Sequence, residues 1–264
     1  MPKLRVGIIE SAASRPLAWG FLKGHHADLF TSTCHSPALI GQLLAQGNLD
    51  IGLLPAVELQ RIPDLLVLPD LCVAAAGASR TSLLVSRVPL ERVKSVAVDH
   101  SSRNGLALLR ILLHRLYALE PRIEAARADL PRMLAEHDAA LLIGDAALQV
   151  DTRAYHVLDL AAEWHRQTGL PCVSGLWAVR SSVQMPDLLF YFKSSLRYGL
   201  SLLDNLARET AAELDVDVAE VEDLYGRLSY FLQPPELEGL SQFFRQADEL
   251  GLIEQARPLS FWER

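Results

Sequence analysis

Short apolar runs at residues 4–9, 50–54, 93–98 and 139–143 are each followed by a turn that opens a helix, polar in every case but Pro55-Ala56-Val57-Glu58. Runs of this length, rich in Val, Ile and Leu, read as buried strands. Strands alternating with helices predict an α/β architecture with parallel neighbours and right-handed crossovers. Further strands are expected at 30–33, 65–68, 72–76, 81–86, 123–126 and 175–180, and helices at 16–22, 36–45, 106–117 and 130–136. From residue 186 onward the pattern is almost wholly helical, broken near Gln233-Pro234-Pro235 and Gly251. The strand–helix pattern restarts after Arg87-Val88-Pro89 and returns near residues 180–185. Two lobes follow: residues 1–87 with 183–264 form the first, and 88–182 form a second inserted into it. Clefts between such lobes are preferred ligand sites.

Composition narrows the function. At 264 residues the chain can bury a full core as one or two domains. Lysine and arginine number 25 against 32 acidic residues, a net charge of −7, so the broad basic footprint of a nucleic-acid binder is missing. Cys34, Cys72 and Cys172 are far apart and form no CxxC, which argues against a zinc site or a disulfide framework. The histidines show no metal-ligand spacing; His25 and His26, beside Gly24, read as a loop. Nucleotide-loop, zincin and nucleophile-elbow motifs are absent, so no metal or organic cofactor is expected. There is no signal region and no apolar run of the ~20 residues a membrane span needs. A cytoplasmic protein without a membrane or nucleic-acid partner is the expectation.

The segment Val96-Ala97-Val98-Asp99-His100-Ser101-Ser102-Arg103-Asn104-Gly105 carries the clearest chemistry: a strand, two hydroxyls, then a helix start. The first helical turn leaves N–H groups unpaired, and the helix dipole adds positive partial charge. A carboxylate or phosphate fits there. Ser101 and Ser102 would add hydroxyl donors and Arg103 a charge, although a plain serine cap uses the same residues. Ser11, Ser14 and Arg15 repeat this logic after the first strand. Thr81 and Ser82 open a strand, where their hydroxyls either line the cleft or merely begin the strand. Gly144 and Asp145 end an apolar strand, the position where open α/β sheets bind ligands; Asp145 could equally cap the next helix. Trp164 and Trp177 read as core or lobe-edge aromatics.

Taken in order, several segments resemble one family. They are V-G-I-I-E-S-A-A-S-R-P-L-A-W-G (6–20), L-D-I-G-L-L-P-A-V-E (49–58), L-L-V-S-R-V-P-L (83–90), A-V-D-H-S-S-R-N-G-L-A-L-L-R (97–110), D-A-A-L-L-I-G-D-A-A-L (138–148) and T-G-L-P-C-V-S-G-L-W-A (168–178). Together they look like the chorismate dehydratase family of the futalosine route to menaquinone. The resemblance implies a two-lobed fold of the type II periplasmic-binding-protein kind. It also implies a carbon–oxygen lyase without metal or cofactor, which dehydrates the dicarboxylate chorismate to 3-[(1-carboxyvinyl)oxy]benzoate. The family's catalytic serine precedes the V-P-L segment, which implies Thr81 or Ser82 here, with Ser86 a weaker match. Its asparagine three residues before the helix-opening proline is replaced by Ala13, leaving Ser11 and Ser14 as the nearest hydroxyls. Asn104-Gly105 stands where threonine and serine are usual, and 172–175 is less bulky than the family pattern. These departures imply an alternative: a non-catalytic cytoplasmic binding protein for an aromatic or cyclic carboxylate.

Overall fold

The computed structural model describes residues 3–24, 26 and 28–263; the loop reading for His25 lies outside them. The strands in chain order are β1 (Leu4–Ile9), β2 (Phe30–His35), β3 (Ile51–Pro55), β4 (Leu65–Ala75), β5 (Ser82–Ser86) and β6 (Ser95–Asp99). They continue with β7 (Arg122–Ala126), β8 (Ala139–Ile143), β9 (His156–Asp159), β10 (Cys172–Arg180) and β11 (Leu228–Ser229). One sheet has the order β11-β4-β10-β3-β1-β2, the other β7-β6-β8-β5-β9. This is the two-lobed α/β arrangement.

Neither sheet is wholly parallel, as the alternation had predicted. β10 runs antiparallel to β3 and β4, and β5 runs antiparallel to β8 and β9. Both strands stand where the chain changes sheets, so neither follows its new neighbour through a same-sheet crossover. The crossings lie at residues 76–81 and 160–171. This corrects the expected boundaries at 87/88 and 182/183: β5 belongs to the second sheet and β10 to the first. Both are near-continuous apolar runs, and such a strand carries no mark of which sheet buries it.

The two short strands expected at 65–68 and 72–76 are one strand. Pairing with β10 shifts between Leu176 and Ala178, and Asp70 within that irregularity has φ 67°. The polar break in the sequence is a bulge, not an end.

The helices that frame the site are α1 (Arg15–Leu22), α2 (Pro37–Ala45), α3 (Glu58–Arg61), α4 (Arg103–Leu112), α5 (Leu130–Glu136), α6 (Asp145–Leu148) and α7 (Leu160–Thr168). The C-terminal part supplies α8 (Leu188–Ser201), α9 (Leu203–Leu214), α10 (Val218–Arg227) and α11 (Pro234–Glu249). Proline opens α2 and α11 within their first turns, where its missing N–H costs nothing.

One hydrophobic cluster runs through both sheets. Leu54 and Leu176 of the first meet Leu84, Val96 and Leu141 of the second through α4, α7 and α11, including Leu108, Trp164 and Phe243. A second cluster lies on the first sheet, where Phe192 packs edge-on against Trp177 with centroids 4.8 Å apart. Trp164 and Trp177 are both core residues. In this layer α1 and α8 touch closely. A Cβ on Gly199 would lie 2.2 Å from the Pro16 carbonyl oxygen, and the Ser195 hydroxyl donates to the Leu17 carbonyl at 2.8 Å. The start of α1, which edges the cleft, is thereby fixed.

Candidate active site

A cleft of about 310 Å³ opens between the sheets. Four stretches from the ends of β1, β6 and β8 and the start of β5 line it. Ser11, Ala13 and Ser14 form one wall; Thr81, Ser82, Gly144 and Asp145 form a second; Ser101, Arg103, Asn104 and Gly105 form a third. Arg15 and Ser102 do not line it. Arg15 turns away to pair with Glu213 of α9, a partner the local sequence does not announce. The same cleft is lined by Glu10, Ser36, Asp99 and Ser174, which the sequence reading did not single out as site residues. Ser36 precedes a proline-opened helix, the signal that had marked Ser14, so it was open to the same inference.

Capping does not account for the serines. Ser14, Ser36 and Ser102 all stand at helix starts, and none makes a side-chain cap bond. The Ser14 hydroxyl is buried and donates to the Ile9 and Ser11 carbonyls, at 2.8 Å for the latter. It is occupied in shaping the turn. Ser101 binds Asp99 through its backbone N–H at 2.7 Å and its hydroxyl at 2.9 Å. Thr81 shares a 2.8 Å hydrogen bond with Ser79. Among the described residues, the Ser82 hydroxyl takes no protein partner, and it faces the cleft at half-buried exposure.

At the start of α4, the Arg103 and Leu106 N–H groups donate to the Ser101 and Ser102 carbonyls at 2.9 and 2.8 Å. Among the described residues the N–H groups of Asn104 and Gly105 carry no protein partner, as expected of the first turn of a helix. The Ser102 hydroxyl is buried beneath that turn, also without a partner. A Cβ on Gly105 would sit 2.5 Å from it. Glycine is what lets the turn close over Ser102 while the N–H groups stay open to the cleft.

The electrostatics favour dipoles over charges. Glu10, Asp99 and Asp145 line the cleft, and Arg103 is the one basic lining residue among those described. Arg103 is half exposed and stands 3.7 Å from Glu58. An anion in this cleft would therefore meet N–H and hydroxyl donors at a helix N-terminus, where negative charge is favoured. Asp145 is the first residue of α6, and its carboxylate accepts the Ala12 N–H at 2.8 Å. Burial pushes its carboxyl up from the ordinary value, and the Ala12 N–H partly offsets this.

A family model described as menaquinone biosynthesis matches residues 4–249. The chain belongs to this menaquinone biosynthesis family. A curated relative, the chorismate dehydratase of Thermus thermophilus, is 30% identical over 235 residues that cover 82% of this chain and 85% of that one. Solved structures agree on the fold. A protein of Archaeoglobus fulgidus superposes with a TM-score of 0.77 at 17% identity, covering 95% of this chain and 98% of its own. The alkanesulfonate-binding protein of Xanthomonas axonopodis pv. citri, solved with MOPS bound, gives 0.63 at 14% identity, covering 95% and 94%. This member of the menaquinone biosynthesis family thus has the fold of solute-binding proteins. No helix among the described residues is long and apolar enough to cross a membrane.

Proposed function

We propose that the chain is a cytoplasmic hydro-lyase that converts chorismate to 3-[(1-carboxyvinyl)oxy]benzoate in menaquinone biosynthesis. The observation that carries this reading is the shared cleft, which joins an unpartnered Ser82 hydroxyl to the open N–H groups of Asn104 and Gly105. The 30% identical chorismate dehydratase supports it.

The chemistry asks little of the protein. A C–H bond breaks at the ring carbon bearing the ether, and its electron pair forms a ring double bond. The neighbouring hydroxyl leaves, takes a proton and becomes water, and the ring becomes aromatic. The α4 N-terminus holds the ring carboxylate. Ser82 donates a proton to the departing hydroxyl; the substrate's own side-chain carboxylate accepts the ring proton and, as the far stronger acid, returns it to the Ser82 alkoxide, so protons balance over the cycle. Fixing the diacid in this orientation offsets up to ~7–11 kcal/mol of the barrier.

Ala13 favours a second reading. Its methyl group stands on the cleft wall where the family pattern has an amide, and it offers the ligand no hydrogen bond. A binding protein for a cyclic carboxylate would tolerate that loss. Purified protein incubated with chorismate, followed by chromatography and mass analysis, separates the two. The benzoate product with loss of water is the expected result. Tight binding of chorismate without product would overturn the lyase.

A further inference from the structure

We propose that Asp145 is a positioning residue: it holds the Ser11–Ser14 wall and the Thr81–Ser82 wall of the cleft in fixed register and does not bind the ligand itself. This rests on the cleft being the ligand site of the proposed reaction.

Asp145 follows β8 of the second sheet, whereas Ala12 follows β1 of the first, and the 2.8 Å bond between them crosses the seam. The preceding residue completes the junction. Gly144 donates its N–H to the Thr81 carbonyl at 2.8 Å. Its φ of 58° and ψ of −134° suit glycine, and a Cβ there would lie 3.4 Å from the Ser11 hydroxyl. Two adjacent residues therefore grip both the wall carrying Ala13 and the wall carrying Ser82.

The chemistry excludes a direct hold on the ligand's carboxylates. A carboxylate only accepts hydrogen bonds, so it repels the carboxylate of a diacid ligand. The groups facing Asp145 are Glu10 after β1, Arg15 of α1, and Tyr225 of α10, and Arg15 is itself paired with Glu213 of α9. Because burial raises the Asp145 carboxyl, the tie weakens by protonation at a higher pH than an exposed aspartate would show. A neutral carboxylic acid is the poorer acceptor for the Ala12 N–H.

The test begins without ligand. The Ala12 amide resonance, followed by nitrogen-15 NMR across acid pH, titrates in the native protein with a midpoint above the ordinary 3.8 and does not titrate in Asp145→Asn. Asp145→Ala lowers kcat on chorismate, by up to ~100-fold if the walls shift by about an ångström, with a smaller effect on KM. Asp145→Asn, whose amide oxygen can still accept the Ala12 N–H, recovers most of that loss. An Ala12 amide that ignores pH, or an Asp145→Ala variant with native kcat, overturns the proposal. If the native protein turns over no chorismate, the reaction reading fails, while the Ala12 titration still decides the role of Asp145.

Discussion

The side-chain oxygen of Asn104 accepts the backbone N–H of Val57 at 3.1 Å, across the seam between the two sheets. A residue expected to meet the ligand therefore has half of its amide engaged in joining the lobes. Its NH2 group has no protein partner among the described residues and remains for the cleft. Asn104→Asp separates the two duties, because a carboxylate still accepts the Val57 N–H but presents negative charge in place of a donor. Stability should hold. Affinity for a dicarboxylate, measured by calorimetry, should fall by at least ~10-fold, in line with ~1.5–3 kcal/mol for a hydrogen bond to a charged group. Equal losses of stability and affinity would assign Asn104 to the seam alone.

Ser82 and Thr81 are neighbours with different commitments, since only Thr81 is bound to Ser79. Ser82→Ala should lower kcat by ~10²-fold or more, the range of a lost proton donor. Thr81→Val should cost much less. Steady-state assays on both variants check the order, and a reversal would move the acid to Thr81.

Gly105 and Ser102 should be energetically coupled. Gly105→Ala forces a Cβ against the Ser102 hydroxyl and should cost ~1–3 kcal/mol of stability, as overpacking does. Ser102→Ala removes a buried, unpartnered hydroxyl and should be near neutral. The double variant should recover part of the Gly105→Ala loss in urea melts. Strict additivity would show that the two do not meet.

Ala13→Asn should raise chorismate turnover by restoring a polar group to the wall. Ser14→Ala should lower thermal stability, since its hydroxyl is bound to the Ile9 and Ser11 carbonyls. A Ser14→Ala variant of native stability but reduced kcat would instead make Ser14 a participant.

Asp138 tests the protein's acid response away from the cleft. The Lys94 N–H, and beyond it the Ser95 hydroxyl and N–H, hold its carboxyl below the ordinary 3.8. Its contribution is complete above the unfolded value and is lost as pH falls through the folded one. Asp138→Asn should be less stable than native near neutrality, with the gap closing below about pH 4. A gap that persists into strong acid would show that charge is not the cause.

The local grammar of the chain was readable. The α5 and β8 boundaries match those expected at 130–136 and 139–143, because apolar periodicity and turn residues act over a few positions. The cleft was readable for the same reason, since each wall is a strand end or a helix start. What eluded the sequence was long-range. Arg15 was expected at the cleft and does not line it, because its side chain pairs with Glu213. β9 and α7 were not foreseen, because His156–Asp159 is too short and half-polar to announce a strand. Nothing local distinguishes β5 as a member of one sheet from β5 as a member of the other.

The hydrophobic cluster that passes from Leu54 to Leu141 through α4, α7 and α11 has a consequence for how such a chain could have arisen. Each lobe also has a cluster of its own, but only halves that shared no core could be separated, exchanged or recombined with other halves. Here the segment 82–159 cut free would expose Leu84, Val96 and Leu141, and the remainder would lose the surface that Leu54 and Leu176 share with them. Neither half is a heritable module. The two should melt together, and recombination within the family can succeed only where both sheets and all three joining helices come from one parent.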